Sequence, residues 1–342
     1  MADKGSVFLL GPGFIGLGVL AELLQEGYQV TILVRKEEAR AGLEKLGAKT
    51  VLGSLDDGDI IRDAAAAADI VIHTATADHQ PSAVSILDGI NERAKAGKSS
   101  IYIHTSGCSV LTDKSNGAYA SDKIYEDDKP ETIDSVANDA PHRTIDLAIL
   151  KRRAELGAKA KIAIMFPPLI YGLGQENRLS IQLPTMARFA LKHGYAGYVG
   201  KGKALWRHIH VADLARGYMA ILHYMESKSG EEVLENPYYF AENGEDYSWE
   251  DCAAMIGKAL KQAGKLEDPT PREIPEELYG DLFKEWSVPV IGQNSRNRAN
   301  RLRALGWEPR EKLTFDSLVS DELPILLAET DEFNGYAAAV AS

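Results

Sequence analysis

A glycine-rich turn near the start of the chain constrains its fold more than any other feature of the sequence. The turn reads Gly11-Pro12-Gly13-Phe14-Ile15-Gly16 and stands between a short apolar run and a helix-length amphipathic stretch. Glycines at this G-x-G-x-x-G spacing allow a tight turn, close approach of the backbone to a pyrophosphate, and close packing of helix on strand. An ordinary glycine turn would also explain the motif, so its surroundings have to decide.

The first half of the sequence alternates apolar runs with amphipathic stretches, a pattern typical of parallel strands joined by helices. Strands are predicted at 6–10, 29–34, 49–52, 69–73, 100–104 and 161–166. Helices are predicted at 14–26, 37–46, 57–66, 81–96 and 142–156. The glycine turn therefore falls at the first strand-to-helix junction, where the N–H groups of a helix start bind the phosphates of a dinucleotide.

Beyond residue 170 the alternation weakens, and loops separate a strand at 206–210, a helix at 213–226 and a strand at 238–242. We predict an α/β protein with a doubly wound, parallel Rossmann sheet and a smaller C-terminal substrate lobe. The Rossmann domain would span 1–170, with 206–242 returning to it. Residues 171–205 and 243–330 would form the lobe, followed by a tail at 331–342.

The end of the second predicted strand indicates which dinucleotide binds. Chains that bind NAD carry Asp or Glu there for the ribose hydroxyls. This chain has Arg35 and Lys36 instead, and a guanidinium beside an ammonium can hold a 2′-phosphate. NADP is therefore the predicted cofactor, although Arg35 could also simply solvate the start of a helix.

Further cofactor contacts are expected where neighbouring strands end, because parallel sheets bind ligands at the carboxyl ends of their strands. Some of these residues could equally belong to plain strand-to-loop turns. The predicted cofactor site comprises the glycine turn, the basic pair formed by Arg35 and Lys36, and the residues Ser54, Leu55, Thr74, Ala75, Thr76, Thr105, Pro167 and Pro168.

The composition narrows the class of protein. A formal net charge of −12 argues against a nucleic-acid or anionic-membrane partner, and no apolar run approaches the roughly twenty residues of a membrane span. Cys108 and Cys252 cannot build a disulfide framework, and the histidines lack metal-binding spacing. We therefore expect a soluble, cytoplasmic protein with a small-molecule substrate and no metal.

Three later segments complete a recognisable series. They are Phe166-Pro167-Pro168-Leu169-Ile170-Tyr171-Gly172, Arg207-His208-Ile209-His210-Val211-Ala212-Asp213-Leu214 and Leu305-Gly306-Trp307-Glu308-Pro309. With the glycine turn, they resemble the short-chain dehydrogenase/reductase superfamily, in its extended or atypical branch of NAD-dependent epimerases and dehydratases. The resemblance implies a seven-stranded Rossmann sheet, nicotinamide chemistry in the cleft beside a small lobe, and a possible homodimer.

The same resemblance implies a catalytic Ser or Thr after the fifth strand, and a Tyr-x-x-x-Lys that opens the helix before the sixth. Ser106 is the predicted hydroxyl, with Thr105 and Ser109 as alternatives. The helix, however, begins Ala140-Pro141-His142-Arg143-Thr144, without either residue. His142 or Arg143 could stand near the ribose in place of the missing lysine.

Two Tyr-x-x-x-Lys matches occur earlier in the chain. They pair Tyr119 with Lys123 and Tyr125 with Lys129, both in a polar, charge-rich stretch. Chance matches are expected because Tyr and Lys are common, and either pair could belong to a solvated loop or surface helix. Tyr119 and Lys123 are nevertheless predicted, with Ser106, as the candidate catalytic residues.

Three hypotheses about function remain at this point. The leading one is an NADP-dependent oxidoreductase acting on a small carbonyl or related organic substrate. The second is a non-catalytic, NADP-binding redox sensor with a protein partner. The third is a sugar-nucleotide epimerase or dehydratase, which Arg35 disfavours because that chemistry usually relies on tightly held NAD.

Overall fold

The computed structural model describes residues 4–330, 333 and 335, so most of the predicted tail lies outside the described residues. The strands are β1 (Ser6–Leu10), β2 (Gln29–Val34), β3 (Lys49–Leu52), β4 (Ile70–His73), β5 (Ser100–Thr105), β6 (Tyr125–Glu126), β7 (Ala160–Phe166), β8 (Leu169–Tyr171), β9 (Gly197–Tyr198), β10 (Leu205–His210), β11 (Tyr238–Phe240), β12 (Asp246–Ser248), β13 (Arg272–Glu273) and β14 (Asn297–Arg298). The α-helices are α1 (Phe14–Gln25), α2 (Arg40–Lys45), α3 (Gly58–Ala67), α4 (Gln80–Lys95), α5 (Pro130–Asp134), α6 (Arg143–Leu156), α7 (Gln182–His193), α8 (Val211–Ser227), α9 (Gly230–Val233), α10 (Trp249–Gln262), α11 (Ser287–Ile291), α12 (Asn300–Ala304), α13 (Thr314–Ser317) and α14 (Leu323–Ala328).

The central sheet has seven strands in the order β11-β7-β5-β4-β1-β2-β3. All neighbouring strands run parallel. The chain winds outward from β1 to β3 and then returns to β4 on the other side of β1, so right-handed connections place the two sets of helices on opposite faces. Accordingly, α1 packs on α8, whereas α4 packs between α3 and α6. The predicted doubly wound Rossmann sheet is confirmed.

The interior strands are apolar on both faces because helices cover both sides of a parallel sheet. Every residue of β4 and β5 is buried, whereas the edge strand β3 is only partly covered. The helix predicted at 37–46 is divided, since a 3-10 turn at Glu37–Ala39 precedes α2.

Smaller sheets accompany the central one. Strand β10 pairs with β8 in parallel and with β12 in antiparallel orientation, while β13 pairs with β9 and β14 with β6. The second half of the chain therefore supplies both β11, at the edge of the central sheet, and most of these small sheets. The division into a Rossmann domain and a lobe at the boundaries given above stays a prediction.

The segment after β5 is held by residues from near the end of the chain. Ser295 donates a hydrogen bond to the carbonyl of Cys108 at 2.6 Å, and the Asn294 side chain donates to Asp113 at 2.9 Å. The buried Asp127 carboxylate accepts from the backbone N–H of Arg301 at 3.0 Å. These contacts shape the loop next to the carboxyl end of β5.

Among the described residues, no helix is both long enough and apolar enough to cross a membrane.

Candidate functional site

The glycine turn lies directly after β1, and two of its glycines are required by packing. Gly11 has a φ of +94°, and a Cβ there would stand 2.3 Å from the Cα of Ala75. A Cβ on Gly16 would stand 1.9 Å from the carbonyl oxygen of Gly11. The Thr74 hydroxyl lies 2.9 Å from that same oxygen. Thr74 and Ala75, after β4, thus hold the turn in shape.

Gly13 differs from Gly11 and Gly16 because a Cβ on Gly13 would meet no atom within 4 Å. It is the N-cap of α1, with no side-chain capping bond and no acidic residue in the first turn. Among the described residues, no side chain caps the first N–H groups of the helix, and open space adjoins Gly13 at the positive end of the helix dipole. Gly13 and the first N–H groups of α1 thus form a cradle that fits the pyrophosphate of a dinucleotide.

The segment after β8 lies over the glycine turn. A Cβ on Gly174 would stand 2.7 Å from the ring of Phe14, and Arg178 donates to the carbonyl of Pro12 at 3.1 Å. Arg178 also pairs with Glu176 at 2.9 Å. A guanidinium is therefore present at the rim of the cradle.

The basic pair stands at the carboxyl end of β2. Arg35 and Lys36 are exposed, and no hydrogen bond or ion pair occupies either side chain within the described ranges. The nearby carboxylate of Glu37 is bound to Arg40 at 2.9 Å. Both cations are therefore available to an anionic group.

The residues after β3 form a local turn. Both the backbone N–H and the hydroxyl of Ser54 donate to Asp57, at 2.6 and 2.8 Å. Leu55 is half-buried beside them. Asp56 contacts His79 at 3.1 Å and so ties this turn to the start of α4.

Two hydroxyl groups follow one another at the end of β5, and both are buried. The Thr105 hydroxyl lies 2.5 Å from that of Tyr218 on α8. The Ser106 hydroxyl lies 3.0 Å from the carboxyl of Asp146 on α6. Burial raises the pKa of Asp146 to about 7, and its second oxygen has no hydrogen-bond partner among the described residues. A proton-sharing pair therefore lies at the carboxyl end of the sheet.

Backbone contacts from β7 fix the position of Ser106. Its N–H donates to the carbonyl of Met165 at 2.9 Å, and the N–H of Cys108 donates to the carbonyl of Pro167 at the same distance. Pro167 and Pro168 are both buried. In the structure, Pro167 supports the loop that carries the serine.

His142 stands at the N-cap of α6 and completes this group. Its Nδ1 lies 2.5 Å from the carboxylate of Asp78, in the segment between β4 and α4. The opposite edge of the ring, with Nε2, lies 3.3 Å from where a Cβ on Gly107 would stand. His142, as the N-cap residue, and Asp146, in the first turn of α6, are four residues apart at the start of the helix that the resemblance expects to begin with Tyr-x-x-x-Lys.

The other candidate residues make different contacts. Tyr119 is 51% exposed, and Lys123 donates to the hydroxyl of Tyr125 at 2.6 Å rather than to Tyr119. Arg143 is buried and donates to the carbonyl of Asp134 at 3.2 Å. No contact joins Tyr119 or Lys123 to Ser106 within the described residues. Their catalytic role stays a prediction.

Sequence reasoning did not single out Asp78, Asp146 or Arg178. A signal for Asp146 was available, because it follows His142 at the four-residue spacing of the missing Tyr and Lys. Asp78 and Arg178 had no such signal, since their contacts reach 64 and 166 residues along the chain.

A family model described as the NAD dependent epimerase/dehydratase family matches residues 7–234. The chain belongs to this family. The resemblance stated from the sequence motifs is thereby confirmed, and a cofactor of the NAD(P) class is a property of the family.

Individual relatives agree with this assignment. The oxidase ucsJ of Acremonium sp is 29% identical over 319 residues, which cover 87% of this chain and 90% of that protein. The dTDP-glucose 4,6-dehydratase of Bacillus anthracis, solved with NAD, has a TM-score of 0.68 at 14% identity and covers 95% of this chain and 98% of its own. The UDP-glucose 4-epimerase of Thermotoga maritima, solved with UDP-glucose, has a TM-score of 0.64 at 15% identity, covering 94% and 99%. At these identities, the two structures establish the fold alone.

Proposed function

We propose that this family member is an NADP-dependent oxidoreductase acting on a small carbonyl compound. The observation that carries the proposal is the group formed by Ser106, Asp146 and His142 at the carboxyl end of β5. Parallel sheets of this kind bind ligands at that edge, where the chain switches direction between β1 and β4. Proton-transferring groups beside a dinucleotide cradle are what carbonyl reduction requires.

The residues present would hold the cofactor through its phosphates. The open face of Gly13 and the start of α1 would receive the pyrophosphate, with Arg178 at the rim. Arg35 and Lys36 would bind the 2′-phosphate that distinguishes NADP from NAD. When bound, the reduced cofactor supplies a hydride.

The protonation state of Asp146 determines what Ser106 can do. When the carboxyl is ionised, the serine must donate its proton to it. When the carboxyl is protonated, Asp146 donates to Ser106, and the serine proton becomes free for a carbonyl oxygen. Because burial raises the pKa of Asp146 to about 7, the form that can orient a carbonyl is populated near neutral pH and is lost as the pH rises further.

The curated relatives lend support to redox chemistry. One of them, which covers 87% of this chain, is named an oxidase. The sugar-nucleotide epimerases and dehydratases are similar only at the level of the fold. The basic pair after β2 favours NADP over the NAD found in the dehydratase structure.

The cofactor choice is tested with Arg35→Asp. The substitution replaces a phosphate partner with a repelling charge, so NADP should bind at least about tenfold more weakly, as expected for losing about 1.5–3 kcal/mol of a charge-assisted contact. NAD binding should change much less. The matched control is Lys45→Asp, which makes the same change in charge at an exposed site on α2. Isothermal titration of both cofactors gives the answer, and equal NADP affinity in the two variants would reject the role of Arg35.

The activity is tested by following NADPH consumption with a panel of aldehydes and ketones. Ser106→Ala should lower the rate about 10²–10⁴-fold, the range for losing a positioned acid–base or orienting group, with NADPH affinity nearly unchanged. Ser227→Ala, at an exposed serine of α8, is the matched control. Tight NADPH binding by the wild type without turnover of any carbonyl would reject the oxidoreductase in favour of the sensor. Conversion of sugar nucleotides without net NADPH loss would favour an epimerase or dehydratase.

A further inference from the structure

His142 combines an uncommon backbone conformation with a strong side-chain contact. Its φ of +64° lies in the left-handed region, which few residues other than glycine adopt and in which histidine is enriched. Its Nδ1 lies 2.5 Å from Asp78 Oδ1. A residue kept in such a conformation by its surroundings points to a functional constraint.

The contact with Asp78 fixes how the imidazole can act. A carboxylate accepts only, so Nδ1 must carry the proton and the exchanging position is Nε2. Nε2 lies on the Gly107 side of the ring, one residue from Ser106. No protein group occupies Nε2 in the part of the chain that the structure describes, so it is free for a ligand.

We propose that His142, positioned by Asp78, is the acid–base residue of this site and takes the place of the family's tyrosine. The inference rests on the proposed function, which it deepens by naming the proton donor. Ser106, through Asp146, would orient the carbonyl, while His142, next to Gly107, would transfer the proton.

The reduction adds one hydride and one proton to the carbonyl. The reduced nicotinamide, when bound, would supply the hydride to the carbonyl carbon, and the C=O π electrons would move to oxygen. That oxygen takes the proton from Nε2 of the imidazolium, which becomes neutral imidazole with Nδ1–H still bound to Asp78. Solvent returns a proton to Nε2, because the His142 side chain is 19% exposed. In the oxidation of an alcohol, the same nitrogen accepts the proton.

The charged and titratable groups around His142 come from three elements. Asp78 faces it from the segment before α4, Arg143 and Asp146 from α6, and His104 from β5. Burial lowers the pKa of His104 well below its usual range, so this ring is neutral. Arg143 directs its guanidinium to the carbonyl of Asp134. Asp146 is buried and bound to Ser106 through one oxygen, whereas the His142 side chain is partly exposed, so Nε2 of His142 can exchange its proton with solvent.

Two substitutions remove the imidazole while tolerating the left-handed backbone: His142→Asn and His142→Gly. Each should lower carbonyl reduction about 10²–10⁴-fold, with NADPH affinity and melting temperature close to wild type. Added imidazole should restore the His142→Gly rate. The matched control is His223→Asn, which removes an exposed histidine that also pairs with a carboxylate and should leave the rate unchanged.

A spectroscopic readout tests the Asp78 contact without any substrate. The exchangeable Nδ1 proton of His142 should give a strongly downfield proton resonance, identified by its absence in His142→Asn. Asp78→Asn should remove it or shift it upfield. An unshifted resonance in Asp78→Asn would overturn the positioning role of Asp78.

The outcomes separate this inference from the proposed function. A wild type that reduces no carbonyl rejects the proposed function, and the inference with it. A wild type that is active, together with a fully active His142→Asn, rejects only the inference. In that second case, loss of activity in Tyr119→Phe would assign the proton to the exposed tyrosine instead.

Discussion

Gly13 and Gly16 belong to the same glycine turn, but a side chain would affect cofactor binding at Gly13 and stability at Gly16. At Gly13 a Cβ enters open space, whereas at Gly16 it collides with the carbonyl of Gly11. Gly13→Val should therefore fold normally and lose dinucleotide binding. Gly16→Ala should lower the melting temperature, because a contact of 1.9 Å forces the backbone to move.

Circular-dichroism melting and cofactor titration on both variants distinguish these effects. Cofactor binding retained by a folded Gly13→Val would contradict the position of the cradle. An unchanged melting temperature in Gly16→Ala would contradict the packing of the turn.

The sequence could predict those site residues whose role depends on neighbouring positions in the chain. The glycine turn and Arg35 follow from their places at strand ends. Tyr119 and Lys123 illustrate the limit, because a four-residue spacing brings side chains together only on a helix. Residues 118–124 form no helix, and Lys123 contacts Tyr125. The partner of His142 lies 64 residues away in sequence, and no local pattern indicates it.

Among the secondary-structure elements, the π-helical segment Leu318–Glu322 has a measurable consequence. It places the Glu322 carboxyl in a buried position, where one oxygen accepts from the N–H of Gly172 at 3.1 Å and the other has no partner within the described part of the chain. Burial raises the pKa of Glu322 to about 7. Such segments are frequent at functional sites, and this one holds the loop after β8.

The raised pKa makes Glu322 a source of pH-dependent stability. Its folded-state pKa lies above the unfolded value near 4.5, so the stabilising contribution is complete at acidic pH and is lost as the pH rises through about 7. Glu322→Gln keeps an acceptor for Gly172 and cannot ionise. The variant should therefore gain roughly 2–3 kcal/mol relative to wild type between pH 5 and pH 8.5.

Denaturant unfolding of both proteins at the two pH values measures this difference. Glu308→Gln, at an exposed position, is the control and should follow wild type at both. A wild-type-minus-variant difference that is constant with pH would contradict an uncharged Glu322 in the folded state.

For the whole molecule, the sequence could predict the central sheet and much less of the lobe. Strands β1, β2 and β3 have the predicted bounds, since each is a segment of four to six residues rich in aliphatic or β-branched side chains next to a helix. The small sheets use strands such as β9 and β14, with two residues each. Two residues cannot display a hydrophobic period, and their partners lie far away in sequence. The pairing of these short strands therefore becomes visible only in the folded chain, although the return of residues 206–242 to the Rossmann domain is predicted from the sequence.

The loop after β5 is bound by residues that come much later in the sequence, and this affects how the chain folds during its synthesis. Cys108, Asp113 and Asp127 are bound by residues that lie 187, 181 and 174 positions further along. On the ribosome, β1 to β5 can emerge and pair while these partners have not yet been translated. The strands next to the cradle can thus form early, whereas the loop beside Ser106 gains its full set of hydrogen bonds only after residue 301 has emerged. Until then, the loop of the nascent chain lacks these hydrogen bonds and is accessible to chaperones and proteases. In a chain arrested before residue 294, the loop would remain in this state.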